Sequence, residues 1–240
     1  MDDALAERTV RTRHGVAYLS ESLPRVWHRN FLLVDPGVDA TVSELALEAE
    51  SVHAPARLEH RKINVEDELG ARLAPGFRRR GWTVHEYLVM TLPGEVEPAD
   101  VSSTVEVDAE QLVPVWRHGM RQWHPDDNTV RQLVEAQLAR RDAVDVRYFA
   151  ARAEDRIAAY CELFSADGIG QVESVMCLEK YRGRGLGKAV TARAAAESVA
   201  AGHDLTFLVA DADDWPKELY RRLGFRDTGG RTWDFVREPS

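Results

Sequence analysis

The segment Tyr181-Arg182-Gly183-Arg184-Gly185-Leu186-Gly187-Lys188 constrains this chain more than any other. It stands between residues 171–178, which read as a strand, and the alanine-rich residues 188–201, which read as a helix ending at an αL cap, Gly202. Glycines at 183, 185 and 187 let the backbone turn tightly and present bare N–H groups. The N-terminus of the following helix adds about half a positive charge. Arg182, Arg184 and Lys188 reinforce the sign, and the sum is an anion site that suits a pyrophosphate. A P-loop requires GxxxxGK[ST], but Ala189 follows Lys188 here. A dinucleotide fingerprint requires GxGxxG, and Lys188 occupies the last of those positions counted from Gly183.

The surrounding chain reads as an α/β unit. Thr104–Val107 is an expected strand, and residues 109–122 and 129–140 are expected helices, with residues 126–128 able to cap the second. Residues 145–151 and 157–164 form an expected hairpin turning at Glu154-Asp155. Residues 205–210 are a strand, residues 215–223 a short helix with Pro216 in its first turn, and residues near 231–236 a final strand. Residues 93–100, framed by prolines and poor in apolar side chains, read as a linker. The expected domains are therefore 1–96 and 103–240.

Arg182, Gly185 and Gly187 satisfy the pattern [RQ]xxGx[GA], which resembles the coenzyme A loop of the GNAT acetyltransferase superfamily. Val175, Met176 and Cys177 stand where that family's fourth strand pairs with the pantetheine arm. Residues 213–225, with Leu219-Tyr220 and Gly224-Phe225, resemble its NxxAxxLYxxxGF segment, except that Asp213 replaces Asn and Pro216 replaces Ala. The resemblance covers residues 103–240. It implies a mixed, mainly antiparallel sheet flanked by helices, an α/β (α+β) fold, preceded here by a smaller degenerate α/β half. It further implies transfer of an acetyl (acyl) group from acetyl-CoA to an amine by direct attack. The cofactor-binding residues it implies are Val175, Met176, Cys177, the loop Arg182, Gly183, Arg184, Gly185, Leu186, Gly187 and Lys188, then Asp213 and Tyr220. Tyr220 takes the place of the family's acid beside the thioester sulfur.

A lysine-type amine is about 0.1% neutral at pH 7, so a base must remove a proton. Glu173 is the candidate: strand alternation puts it on one face with Val175 and Cys177, and apolar neighbours raise a carboxylate's pKa. In family members with a glutamate on the fifth strand the corresponding position here is Leu208. Cys177 lacks a histidine partner nearby in sequence and reads as packing, with its strand N–H groups meeting the oxyanion. His118, His124, Trp116 and Trp123 are candidates for the acceptor pocket. His118 and His124 lack metal-ligand spacing, and no metal is expected.

The chain carries 40 acidic against 31 basic residues, a net charge of −9, which argues against nucleic acid as the partner. No apolar run approaches a membrane span, and two cysteines point to a reducing cytoplasm. The expected partner is a small-molecule or peptide amine, with a homodimer left open. The front part echoes the back: residues 68–77, with Glu68-Leu69 and Gly76-Phe77, parallel residues 218–225, with Gly70 where the acid would stand and no glycine loop. It is expected to bind no coenzyme A and to help shape the acceptor site. A non-catalytic acyl-CoA-binding module is the alternative to an enzyme.

Overall fold

The computed structural model describes residues 2–239; Met1 and Ser240, the ends of the two expected domains, lie outside them. Residue contacts divide the chain into one unit of Met1–Leu88 with Gly229–Ser240, and a second of Val89–Thr228.

The first unit contains α1 (Asp2–Leu5), β1 (Arg8–Arg11), β2 (Gly15–Leu19), β3 (Phe31–Val34), α2 (Val42–His53), β4 (Arg61–Glu66), α3 (Asp67–Arg79) and most of β5 (Thr83–Leu92). The β1–β2 hairpin carried no strong signal in the sequence. β1, β2 and β3 pair antiparallel in turn, and β3 pairs parallel with β4. Thr41 and Glu44 close a capping box on α2, satisfying two otherwise orphaned backbone donors. The core gathers Leu32, Leu45, Ile63, Phe77 and Phe235, with Phe77 stacked on Phe235 at 4.3 Å.

Gly70 of α3 is dictated by packing. A Cβ there would lie 2.0 Å from Trp233 Cδ1, so the ring occupies the place of any side chain. Ala normally favours a helix over Gly by roughly 0.5–1 kcal/mol; here the sign reverses. Gly70→Ala is expected to destabilise the protein by about 1–3 kcal/mol, measured by chemical denaturation.

The second unit contains β6 (Thr104–Val107), α4 (Ala109–Arg121), α5 (Asp127–Ala143), β7 (Asp145–Ala153), β8 (Arg156–Ala166), β9 (Ile169–Cys177), α6 (Leu186–Ala200), β10 (Leu205–Asp211), α7 (Pro216–Arg221) and the start of β11 (Arg226–Arg237). β6, β7, β8 and β9 pair antiparallel in order, and β10 joins β9 in parallel. Glu154 and Asp155 both have positive φ, 52° and 60°, as a two-residue hairpin turn with the twist of its strands requires. Tyr148, Ala150 and Tyr160 pack with Trp116 of α4. Their neighbours Phe149 and Cys161 instead meet Arg193 and the Val190 carbonyl of α6. Successive strand residues face opposite sides, so α4–α5 and α6 cover opposite faces.

Two expectations need correcting. The reading of 103–240 as one domain fails at its end: β11 pairs antiparallel with β4, Trp233 opposite Val65 and Phe235 opposite Ile63. From Gly229 onward the chain belongs to the first unit. Residues 93–100 lack regular structure but are held inside the second unit, where Glu97 N–H donates to the Leu223 carbonyl at 3.1 Å and Lys188 Nζ to the Pro98 carbonyl at 3.5 Å. Among the described residues no helix is long and apolar enough to cross a membrane.

Candidate active site

β9 and β10 run parallel only from Leu205↔Ile169 to Leu208↔Val172. Beyond that point β9 continues to Cys177 and β10 to Asp211 without pairing with each other, so a cleft opens between them. Leu208 is buried at the last paired position and brings no carboxylate to the cleft.

The glycine loop follows directly from β9. Gly183 and Gly185 have φ of 76° and 79°, and nothing lies within 4 Å of where their Cβ atoms would be. Both positions need glycine for the turn and leave the backbone bare. Gly185 is the N-cap of α6, so the helix starts at Leu186 rather than Lys188 and carries no side-chain cap. Its first N–H groups lack intrahelical partners, and a cavity of about 220 Å³ beside them is lined by Arg184, Gly185, Leu186 and Lys188 together with Asp100 and Ser103. Gly187 has ordinary helical space, with Cys177 Cβ 3.9 Å from its virtual Cβ. Arg182 Nε donates to the Cys177 carbonyl at 3.3 Å, tying the loop to β9. Arg184 sits over the Tyr181 ring, with Glu154 3.9 Å from its guanidinium.

A bulge in β9 changes which residues share a face. Tyr160 pairs with Met176 and Glu162 with Glu173, so the single β8 residue between them, Cys161, stands against two in β9, Ser174 and Val175. Ser174 takes up the extra residue with φ of 54°. Glu173 therefore shares the α4–α5 face with Met176, whereas Cys177, opposite Ala159, faces α6. Simple alternation had put Glu173 and Cys177 together.

Glu173 is part-buried, and burial pushes its carboxyl above the ordinary range. Gln171 Nε2 donates to it at 2.6 Å and Arg140 opposes the shift, while Glu162 adds to it. Glu162 is the residue that sequence reasoning missed. It is fully buried opposite Glu173, with Arg140 Nη1 2.6 Å from Oε2 and no partner for Oε1 among the described residues. A lone carboxylate inside the apolar run 157–164 was the available signal.

Tyr220 is buried on α7, edge-on to Phe225. Burial, then the charge of Glu173, push its hydroxyl up, so it stays protonated. Gly224 holds the Gly-Phe turn at φ of 98°, with Leu92 Cδ1 3.3 Å from its virtual Cβ. Burial likewise raises the Cys177 thiol, against the charge of Arg182, which disfavours a nucleophilic thiolate. Asp213 is exposed, and its own N–H donates to Asp211. Of the acceptor candidates, Trp116 is core, Trp123 and His124 are exposed, and His118 borders a large cavity.

The segment 149–234 matches the family model described as FR47-like protein. The match spans 86 of the chain's 240 residues. Solved structures establish the GNAT fold around it. A GCN5-related N-acetyltransferase from Kribbella flavida is 20% identical, with a TM-score of 0.65 over 99% of this chain and 92% of that one. A functionally unknown conserved protein from Staphylococcus epidermidis is 14% identical, with a TM-score of 0.73 over 96% and 93%. A tandem GNAT protein from the clavulanic acid biosynthesis pathway is 16% identical, with a TM-score of 0.57 over 87% and 74%. No curated protein matches the chain. The described residues include no group of three or more His, Cys, Asp or Glu able to hold a metal ion.

Proposed function

We propose that the protein is an N-acyltransferase that moves an acetyl group from acetyl-CoA to an amine. The observation that carries this reading is the opening of the β9–β10 cleft directly onto the glycine loop, with Tyr220 buried nearby. The bare backbone of Gly183 and Gly185 and the uncapped start of α6, with Arg182, Arg184 and Lys188, fit a pyrophosphate. The unpaired edge of β9 at Val175–Cys177 fits an extended amide-bearing arm. Bound acetyl-CoA supplies the activated acyl group.

The chain's own residues then handle protons. Glu173 takes the proton of the incoming ammonium; its raised affinity brings it closer to an amine's range than an exposed glutamate would be. Backbone N–H groups at the end of β9 meet the charge that develops on the acyl oxygen. Tyr220 Oη, kept protonated by burial, gives its proton to the departing sulfur. The exposed Asp213 supports a second reading, an acyl-CoA-binding module without turnover. Release of free thiol across a panel of amines decides between the two.

Cofactor binding is tested separately. Acetyl-CoA at about 100 times its dissociation constant should stabilise the protein by about 2.7 kcal/mol, seen as a clear rise in Tm. Gly185→Asp should abolish that rise, because Asp strains a position at φ of 79° and adds like charge. A normal rise in the variant would remove the loop from the cofactor site.

A further inference from the structure

A cavity of about 940 Å³ opens in the second unit beside α4. One wall is the exposed face of α4, including His118. The facing wall is formed by Arg152 and Arg156, from the two arms of the β7–β8 hairpin, and by Lys180 and Glu179 after β9. Between them lie Val115, Ile157 and Leu178, which pack in one apolar cluster with Met176, the residue before Cys177. The cavity is thus apolar within and polar at its rim, and its floor leads to the end of β9.

Arg121, Arg140, Arg141, Arg147 and Arg193 of the same unit each meet a carboxylate. Lys180 meets Glu154 at 3.0 Å. Arg152 and Arg156 have no ion-pair or hydrogen-bond partner for their guanidinium groups among the described residues, in a chain with nine more acidic than basic side chains. Guanidinium forks bind carboxylates and phosphates in two-pronged fashion. Glu179 is the acidic side chain of the lining, and it is exposed.

We propose that this cavity is part of the acceptor site and recognises an anionic group through Arg152 and Arg156, so that the acceptor is an amine that also bears a carboxylate. The inference rests on the transferase reading above. It is tested with matched pairs of amines: L-phenylalanine and phenethylamine, L-tryptophan and tryptamine, L-lysine and cadaverine. The wild type should favour the amino acid of an accepted pair by about tenfold or more in kcat/KM, the scale of one charge-assisted contact. The double variant Arg152→Gln, Arg156→Gln should lose that preference while keeping its rate with the decarboxylated amine and its affinity for acetyl-CoA. No preference in the wild type, or an equal loss with both members of a pair, overturns the proposal. So does weakened acetyl-CoA binding, which would assign the arginines to the cofactor's phosphates. If acetyl-CoA binds and no amine is consumed, the transferase reading has failed. Calorimetry with the same six compounds then reads the cavity alone. Carboxylate-dependent binding that disappears in the double variant supports it, and binding indifferent to the carboxylate overturns it.

Discussion

Tyr220→Phe should lower kcat by about 10²–10⁴-fold while leaving the affinity for acetyl-CoA unchanged. The ring lies buried against Phe225, and the substitution removes one hydroxyl from a site that packing otherwise fixes. A raised pKa makes the hydroxyl a weaker acid, but it guarantees that the proton is present at every working pH. Without it the sulfur must leave as a bare thiolate in a recessed cleft. Stopped-flow detection of free thiol, with binding followed in parallel by calorimetry, separates chemistry from affinity. Full turnover in Tyr220→Phe would make the residue an aromatic spacer in the Leu-Tyr-xxx-Gly-Phe turn and leave proton delivery to solvent.

Glu173→Gln should cost a similar factor, about 10²–10⁴-fold in kcat/KM near neutral pH, and the defect should shrink as pH rises. In the wild type the base works only while Glu173 is ionised, so activity falls as pH drops through its elevated pKa. The variant has no such limb and follows the fraction of neutral amine, which grows tenfold per pH unit below about 10. A pH-independent defect would mean that Glu173 positions the acceptor rather than deprotonating it. Stability supplies an independent check. A carboxyl whose folded pKa lies above its unfolded value binds its proton more tightly when folded. Its contribution therefore declines as pH rises from the unfolded value through the folded one. Above that window the ionised Glu173 strains the fold, and Glu173→Gln should melt higher than wild type at pH 7 and above. At pH 3, where the carboxyl is protonated in both states, the gain should vanish.

The glycine loop, the hairpin turn and the tyrosine helix were legible in the sequence because each depends on local chemistry. Glu154-Asp155 and Gly185 take their φ values from neighbours only a few residues away. Glu173's face was misread because a bulge adds one residue, and its effect depends on β8 pairing across the sheet. Glu162 and Arg140 lie 22 positions apart and meet only once α5 has packed. The ownership of β11 was hidden for the same reason: its partner β4 lies more than 160 positions upstream.

That last pairing sets an order of assembly. The second unit, Val89–Thr228, is an insertion between the pieces of the first. On a ribosome, β4 emerges early with the edge that β11 will cover still bare, and Trp233 and Phe235 leave the exit tunnel only after the whole second unit. N-terminal domains usually fold first during synthesis, but this one must wait for the β11 residues that pair with β4. The second unit can therefore be complete while α2 and α3 still lack part of their core. A nascent chain stalled before residue 229 should expose apolar surface on its earliest-made segment, the part of the molecule that a chaperone would meet first.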